Sequence, residues 1–237
     1  MDGSRIPLPP PRHLFTLAET PVQADASAPL NVAGVFGLCL WIVMARYPTL
    51  PRIAQGVLAV IWALLMMLVF AIHSLGHIFS ARAVGAPMDA LVINAVHWIT
   101  LYANDQVPPR AHLGRAVGGP AANLAAIGAS VFFRRVVPPG PFGRDLVDVF
   151  AMFNAAICAA ALLPTPSFDG GSLVKWAVYE RTGDLEHATR VRREAGMTAA
   201  SSLAGLAALA LMFQRRIAGV LLAAFSLVTA LESFRKD

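Results

Sequence analysis

Ile53–Ala81 reads IAQGVLAVIWALLMMLVFAIHSLGHIFSA, 29 residues without a Lys, Arg, Asp or Glu. As a helix this stretch is about 44 Å long, more than the roughly 30 Å of a bilayer's hydrocarbon core. It therefore reads as a membrane-crossing helix. Toward its end stand His73 and His77, which are four residues apart and so share one helical face. Ionisable side chains are costly inside an apolar run and are usually functional there.

Five further runs also lack charged residues: Ala26–Ala45, Ala116–Phe133, Val149–Phe168, Ala195–Gln214 and Ile217–Leu231. About 20 apolar residues cross a bilayer core, and a shorter run can span with local thinning. Composition agrees. Hydrophobic residues make up 57% of the 237 and charged residues 14%, with a mean hydropathy of +0.60. A soluble domain is nearer 45–50% apolar and about 25% charged. The expectation is an all-α integral membrane protein of about six transmembrane helices.

The 19 basic residues against 14 acidic ones bear on membrane orientation rather than on nucleic acid, which is not expected as a partner. Loops on the side of Arg82, Arg110 and Lys175–Arg193 hold more Lys and Arg than those on the side of Arg46 and Arg134. That bias puts both termini in the cytosol of a cell (inner) membrane. Residues 1–29, rich in Pro and Ala, read as a disordered cytosolic tail, with 30–237 as the membrane domain. Cys39 and Cys158 sit in apolar runs and read as small core residues.

Two stretches are not membrane-spanning. Leu91–Tyr102, LVINAVHWITLY, is β-branched and aromatic between Gly/Pro-containing flanks, which predicts a strand or small hairpin near the cytosolic face. Gly171–Glu194 mixes aromatic residues with many charges and predicts one interfacial amphipathic helix.

Three groups carry chemistry. His73 and His77 can reach one ion. Asp169 lies in ALLPTPSFDGG, where Pro164 and Pro166 stop a helix and Asp-Gly-Gly forms a turn. Spacing alone fits a solvated Asp at a helix end. A buried setting would instead call for a cation, and together with the two histidines it would make a three-ligand zinc site. GGPAAN, Gly118–Asn123, has small residues suited to close helix packing, while Asn123 and the later Asn154 can hydrogen-bond a substrate backbone or oxyanion. His97 reads as a surface histidine or an alternative ligand. His112 and His187 have no partner in sequence.

HxxxH in one apolar run, GPxxN in the next and then N…LLPxPxxDGG resemble the site-2 protease family of intramembrane zinc metalloproteases, over roughly 56–175. The resemblance implies His73, His77 and Asp169 as ligands of one Zn2+ per chain. It implies Asn123 and Asn154 as substrate-binding residues, and an extended segment such as Leu91–Tyr102 that pairs with an unwound substrate. The partners implied are a transmembrane protein and membrane lipid.

The sequence departs from the family's HExxH at Ser74, where the catalytic-base Glu should stand, and at Ala161, where an Asn is usual. Losing a positioned general base costs about 10²–10⁴-fold in rate. The reading is therefore a zinc metalloprotease homologue with hydrolysis weak or lost. The alternatives are an active enzyme with another base, and a metal-free membrane scaffold.

Overall fold

A computed structural model describes residues 10–96, 98–140 and 142–234, with only the backbone at Arg216 and Ile217. The first nine residues of the expected tail, His97 and the C-terminal Arg235 and Lys236 lie outside the described residues.

Every uncharged run contributes a helix. They are α1 (Ala28–Arg46), α2 (Arg52–Ala83), α3 (Pro109–Val136), α4 (Arg144–Ala161), α6 (Leu185–Met212) and α7 (Arg216–Ser233), with the shorter α5 (Asp169–Thr182) between α4 and α6. Length and apolarity qualify α1, α2, α3 and α6 to cross a membrane. Among the described residues four helices therefore qualify, where the sequence suggested six. The other two runs form helices that differ in character. Helix α4 opens on Arg144, Asp145 and Asp148, and α7 is a short apolar helix. The acidic groups of α4 are held by partners, Asp145 by the Tyr47 hydroxyl at 3.0 Å and Asp148 by Arg134 at 2.6 Å.

The main core lies between α1, α2 and α4, where Cys39, Val43, Leu58, Val69 and Phe153 surround Trp62. The Trp62 and Phe153 rings meet edge to face with centroids 6.0 Å apart, the geometry that aromatic quadrupoles favour. Cys39 and Cys158 are both buried and free, as expected. Helices α2 and α3 cross at Gly76 and Gly118, where a Cβ on either glycine would strike the other's carbonyl. Backbones can approach this closely only where side chains are absent. Helices α6 and α7 pack on each other as a pair, tied by the Ser226 hydroxyl donating to the Ala200 carbonyl at 2.9 Å.

The expected hairpin is present as β3 (Ala90–Ile93) and β4 (Trp98–Leu101). It belongs to a larger sheet. Strands β1 (Arg12–Leu17) and β2 (Thr20–Ala24) form a second hairpin, and β2 pairs parallel to β3, giving the order β1-β2-β3-β4. The disordered tail is thus corrected from Arg12 onward. Val22 and Thr20, each 1% exposed, anchor the hairpin, and Val22 packs with Ile78, Met88 and Leu91 at the end of α2. The turn was hard to read because it is built from Ala18 and Glu19, both at positive φ (44° and 59°), where Asn-Gly is the usual signal.

The single amphipathic helix expected over Gly171–Glu194 is two helices. Gly183 adopts φ 67° at the end of α5, a left-handed turn that glycine accepts without strain. Asp184 then caps α6 by accepting from the His187 N–H. Between α4 and α5, residues 162–168 are irregular and fold back on the first turn of α5. A Cβ on Gly170 would strike the Leu162 carbonyl and one on Gly171 the Thr165 carbonyl. The Asp-Gly-Gly turn therefore needs both glycines, and their contact fixes where Asp169 stands.

Candidate metal centre

His73 and His77 project from α2 toward Asp169, the first residue of α5. The two Nε2 atoms are 3.0 Å apart, and each lies 3.3 Å from the same carboxylate oxygen of Asp169. The three side chains are mostly buried, with His77 only 6% exposed.

Hydrogen bonds behind the rings fix what those nitrogens can do. The Nδ1–H of His73 donates to the Asn123 side-chain oxygen at 2.6 Å. The Nδ1–H of His77 donates to the Arg115 carbonyl at 2.8 Å. In neutral imidazole only one nitrogen carries a proton. Both Nε2 atoms therefore present lone pairs to each other and to an acidic oxygen. Three acceptors facing one point repel unless a cation or proton sits between them. The edges of a tetrahedron with bonds of about 2.1 Å are about 3.4 Å long, close to the 3.0 and 3.3 Å found here. His, His and Asp within 4.8 Å of one another form a donor set that fits a divalent metal, and the backing of each imidazole by a carbonyl-type acceptor is the usual support for metal-ligating histidines.

Helix α3 shapes the floor. A Cβ at Gly119 would fall about 2.5 Å from the His73 Nε2, so the glycine leaves the space that both rings occupy. Asn123 and Asn154 are wholly buried. Asn123 donates to the Asn154 side-chain oxygen at 2.9 Å, and Asn154 donates to the Phe150 carbonyl at 2.9 Å. The two amides form a hydrogen-bonded chain that ends on His73. Its sequence signal, two Asn in neighbouring apolar runs, was legible, but its direction was not.

Ser74 is 5% exposed and lies on α2 next to His73. The carboxylates outside the cluster have other roles. Asp89 accepts from the Ala103 N–H, Asp105 faces the Arg115 guanidinium at 3.8 Å, and Asp145 and Asp148 belong to the far end of α4.

A cavity of about 460 Å³ extends from His77 and Asp169 past Thr100, Tyr102, His112 and Trp176. Burial pushes the Tyr102 phenol up to about 12, so it stays protonated and able to donate. Arg115 lies 4.2 Å over the Tyr102 ring and donates to the Ala86 and Asn104 carbonyls, which locks the loop before α3 to its first turns. The His112 and Trp176 rings stack with centroids 3.8 Å apart and planes within 2°, a contact with no local signal because the partners are far apart in the chain.

No protein-family model matches the chain. Its backbone superposes on a site-2 protease from Methanocaldococcus jannaschii with a TM-score of 0.59, over 96% of this chain and 97% of that one, at 16% identity. The fold is that of a site-2 protease. A curated Synechocystis protein described as a "putative zinc metalloprotease" is 27% identical over 142 residues, which are 60% of this chain. The chain spans 37% of that relative's length. Among the described residues the site-2 protease fold thus carries four helices long and apolar enough to cross a membrane and a group that could hold a metal ion.

Proposed function

We propose that this chain is a membrane-embedded zinc metalloprotease homologue of the site-2 type. It binds or acts on transmembrane segments of membrane-anchored proteins, and its peptide hydrolysis is weak or lost. The observation that carries the reading is the meeting of His73, His77 and Asp169, with both Nδ1–H groups already committed to other acceptors.

His73, His77 and Asp169 would hold one zinc ion. Bound there, zinc supplies Lewis acidity toward a peptide carbonyl and water. The chain's own residues supply the rest of the site. Asn123 and the Arg115 carbonyl hold the imidazoles in the ligating tautomer. Strand β4 is an edge of the sheet, and Thr100 and Tyr102 at its end line the cavity. This supports pairing with an extended peptide there.

Loss of hydrolysis rests on Ser74. A glutamate at that position would take a proton from water and return it to the leaving amine. A serine hydroxyl, uncharged across the physiological range, does neither. The cavity's other carboxylate, Asp105, is 81% exposed and held toward Arg115, so it supplies no substitute base.

The test is zinc content of detergent-purified protein, wild type beside His73→Ala and Asp169→Ala. We expect one zinc per chain in the wild type and loss in both variants. A folded wild type without zinc would overturn the reading and return the chain to the metal-free scaffold.

A further inference from the structure

A cavity of about 480 Å³ opens where α6 leaves its apolar run, and none of the metal-centre residues lines it. Arg190, Arg193, Glu194, Met197 and Thr198 come from one face of α6, spaced three and four residues apart as neighbours on a helix surface are. Phe234, at the end of α7, closes the other side. The close crossing of the two helices puts it there, since a Cβ on Gly196 would strike the Ser233 hydroxyl.

Two of the lining residues are cations with their donors uncommitted. Arg190 and Arg193 are exposed, and among the described residues neither makes a hydrogen bond or an ion pair. Arg192, between them, turns inward and is buried, so it takes no part. Arg193 lies 4.6 Å over the Phe234 ring. That contact uses the flat face of the guanidinium and leaves its N–H edge free for an oxyanion. Glu194 is the acidic group on the rim, so two guanidiniums stand against one carboxylate.

Depth sorts these residues. Ala195–Gln214 carries no charge, and α6 is long and apolar enough to cross a membrane. Counted from Ala195, Arg193 and Arg190 stand about 3 and 8 Å above the apolar span. A headgroup layer is about 5–7 Å deep on each side of the hydrocarbon core. Met197 and Thr198 lie just inside the span, and the Thr198 hydroxyl already donates to the Glu194 carbonyl at 2.9 Å. The cavity is cationic at headgroup depth and apolar below it.

We propose that this cavity binds one anionic glycerophospholipid. Arg190 and Arg193 donate to its phosphate, and the start of an acyl chain lies against Met197 and the Phe234 ring. A phosphatidylcholine headgroup brings its own cation toward the two guanidiniums and is disfavoured by that repulsion. The proposal rests on the membrane-embedded reading above but not on the zinc site.

The experiment titrates the full chain, in neutral detergent, with phosphatidylglycerol or phosphatidylcholine of the same acyl chains and counts bound lipids by native mass spectrometry. One phosphatidylglycerol is expected to bind at least ~10-fold tighter than the first phosphatidylcholine. Arg190→Gln and Arg193→Gln each cost about 5-fold, and the double variant binds the two lipids alike. Arg46→Gln, which removes an exposed cation from the last turn of α1, leaves the preference unchanged. Met197→Ser weakens both lipids together. Melting temperatures confirm that each variant is folded, and phosphatidylglycerol raises that of the wild type but not that of the double variant.

Equal affinity for the two lipids, a preference that survives in the double variant or disappears in Arg46→Gln, or unchanged affinity in Met197→Ser overturns the proposal. So does displacement of phosphatidylglycerol by millimolar glycerol phosphate, which would make this a site for a soluble phosphate. Zinc content is measured on the same samples. Zinc without lipid preference overturns this proposal alone, and lipid preference without zinc overturns the metal reading alone.

Discussion

The side-chain oxygen of Asn123 lies 2.6 Å from Nδ1 of His73, and the same amide's nitrogen is held by Asn154 at 2.9 Å. One buried amide thus fixes the tautomer of a histidine on another helix and is itself fixed by a third. Three helices, α2, α3 and α4, converge on one imidazole. Replacing such a supporting hydrogen bond costs about 10–100-fold in metal affinity. We expect Asn123→Ala to weaken zinc binding by that amount in competition with a chelator. Asn154→Ala should weaken it less, because Asn123 keeps its own bond to His73. Unchanged affinity in Asn123→Ala would show that the ring is oriented by packing alone.

Gly119 makes a second, steric demand. Its missing side chain is the space in which the imidazoles meet, since a Cβ there would sit about 2.5 Å from the His73 Nε2. A methyl group cannot be absorbed by a flexible neighbour, because both rings are tied by their Nδ1–H bonds. Gly119→Ala is expected to abolish zinc retention while the far core around Trp62 stays intact, as read by near-UV circular dichroism. Zinc at wild-type stoichiometry in Gly119→Ala would show that the rings have room to move.

The chain shows unevenly how much of this was legible. His73, His77 and Asp169 stood out because ionisable groups in apolar runs are rare, and the structure brings them together. The helices were legible for the same reason, a long absence of charge. The N-terminal hairpin was not. Its strands are short, its turn lacks Asn-Gly, and its burial comes from pairing with β3, which is distant in sequence. Asn123 and Asn154 were visible as polar residues, but the bond from His73 to Asn123 depends on the crossing of α2 and α3 at Gly76 and Gly118.

The hairpin's dependence on β3 gives a third expectation. Val22 is buried against Ile78 and Leu91, so Val22→Asp places an unpaired charge where no partner waits. Burying a polar group without a hydrogen bond costs about 1–3 kcal/mol on protein scales, and a charge costs more. Limited proteolysis should then cut near Ala18–Glu19 in the variant and spare the wild type. Equal resistance would mean that the hairpin is held by β1–β2 pairing alone.

Trp62 tests the main core. It is 1% exposed and touches Tyr47 and Phe153 edge to face, so it joins α1, α2 and α4. Truncating a buried tryptophan to alanine costs about 3–5 kcal/mol. Trp62→Ala should lower the melting temperature in detergent more than a substitution at exposed Leu64 on the same helix. If the two fell equally, the helices would be held together by the surrounding detergent or lipid rather than by this contact.

The proposed loss of hydrolysis turns on Ser74. Its neighbours on α2, His73 and His77, bring the ligating nitrogens to one point, and the serine supplies no group that exchanges protons near neutral pH. On the proposed reading, a carboxylate there supplies the base that the serine does not. A positioned general base contributes about 10²–10⁴-fold, so Ser74→Glu should raise cleavage of a labelled transmembrane peptide from background by a factor in that range. His73→Ala added to the same variant should abolish the gain, which ties it to the metal centre. Ser74 is buried, and the longer side chain needs room, so the shorter Ser74→Asp serves as a second variant if the melting temperature falls. Specific cleavage by the wild type that His73→Ala removes would refute the loss of hydrolysis and give Ser74 itself, or a partner's carboxylate, the role of the base.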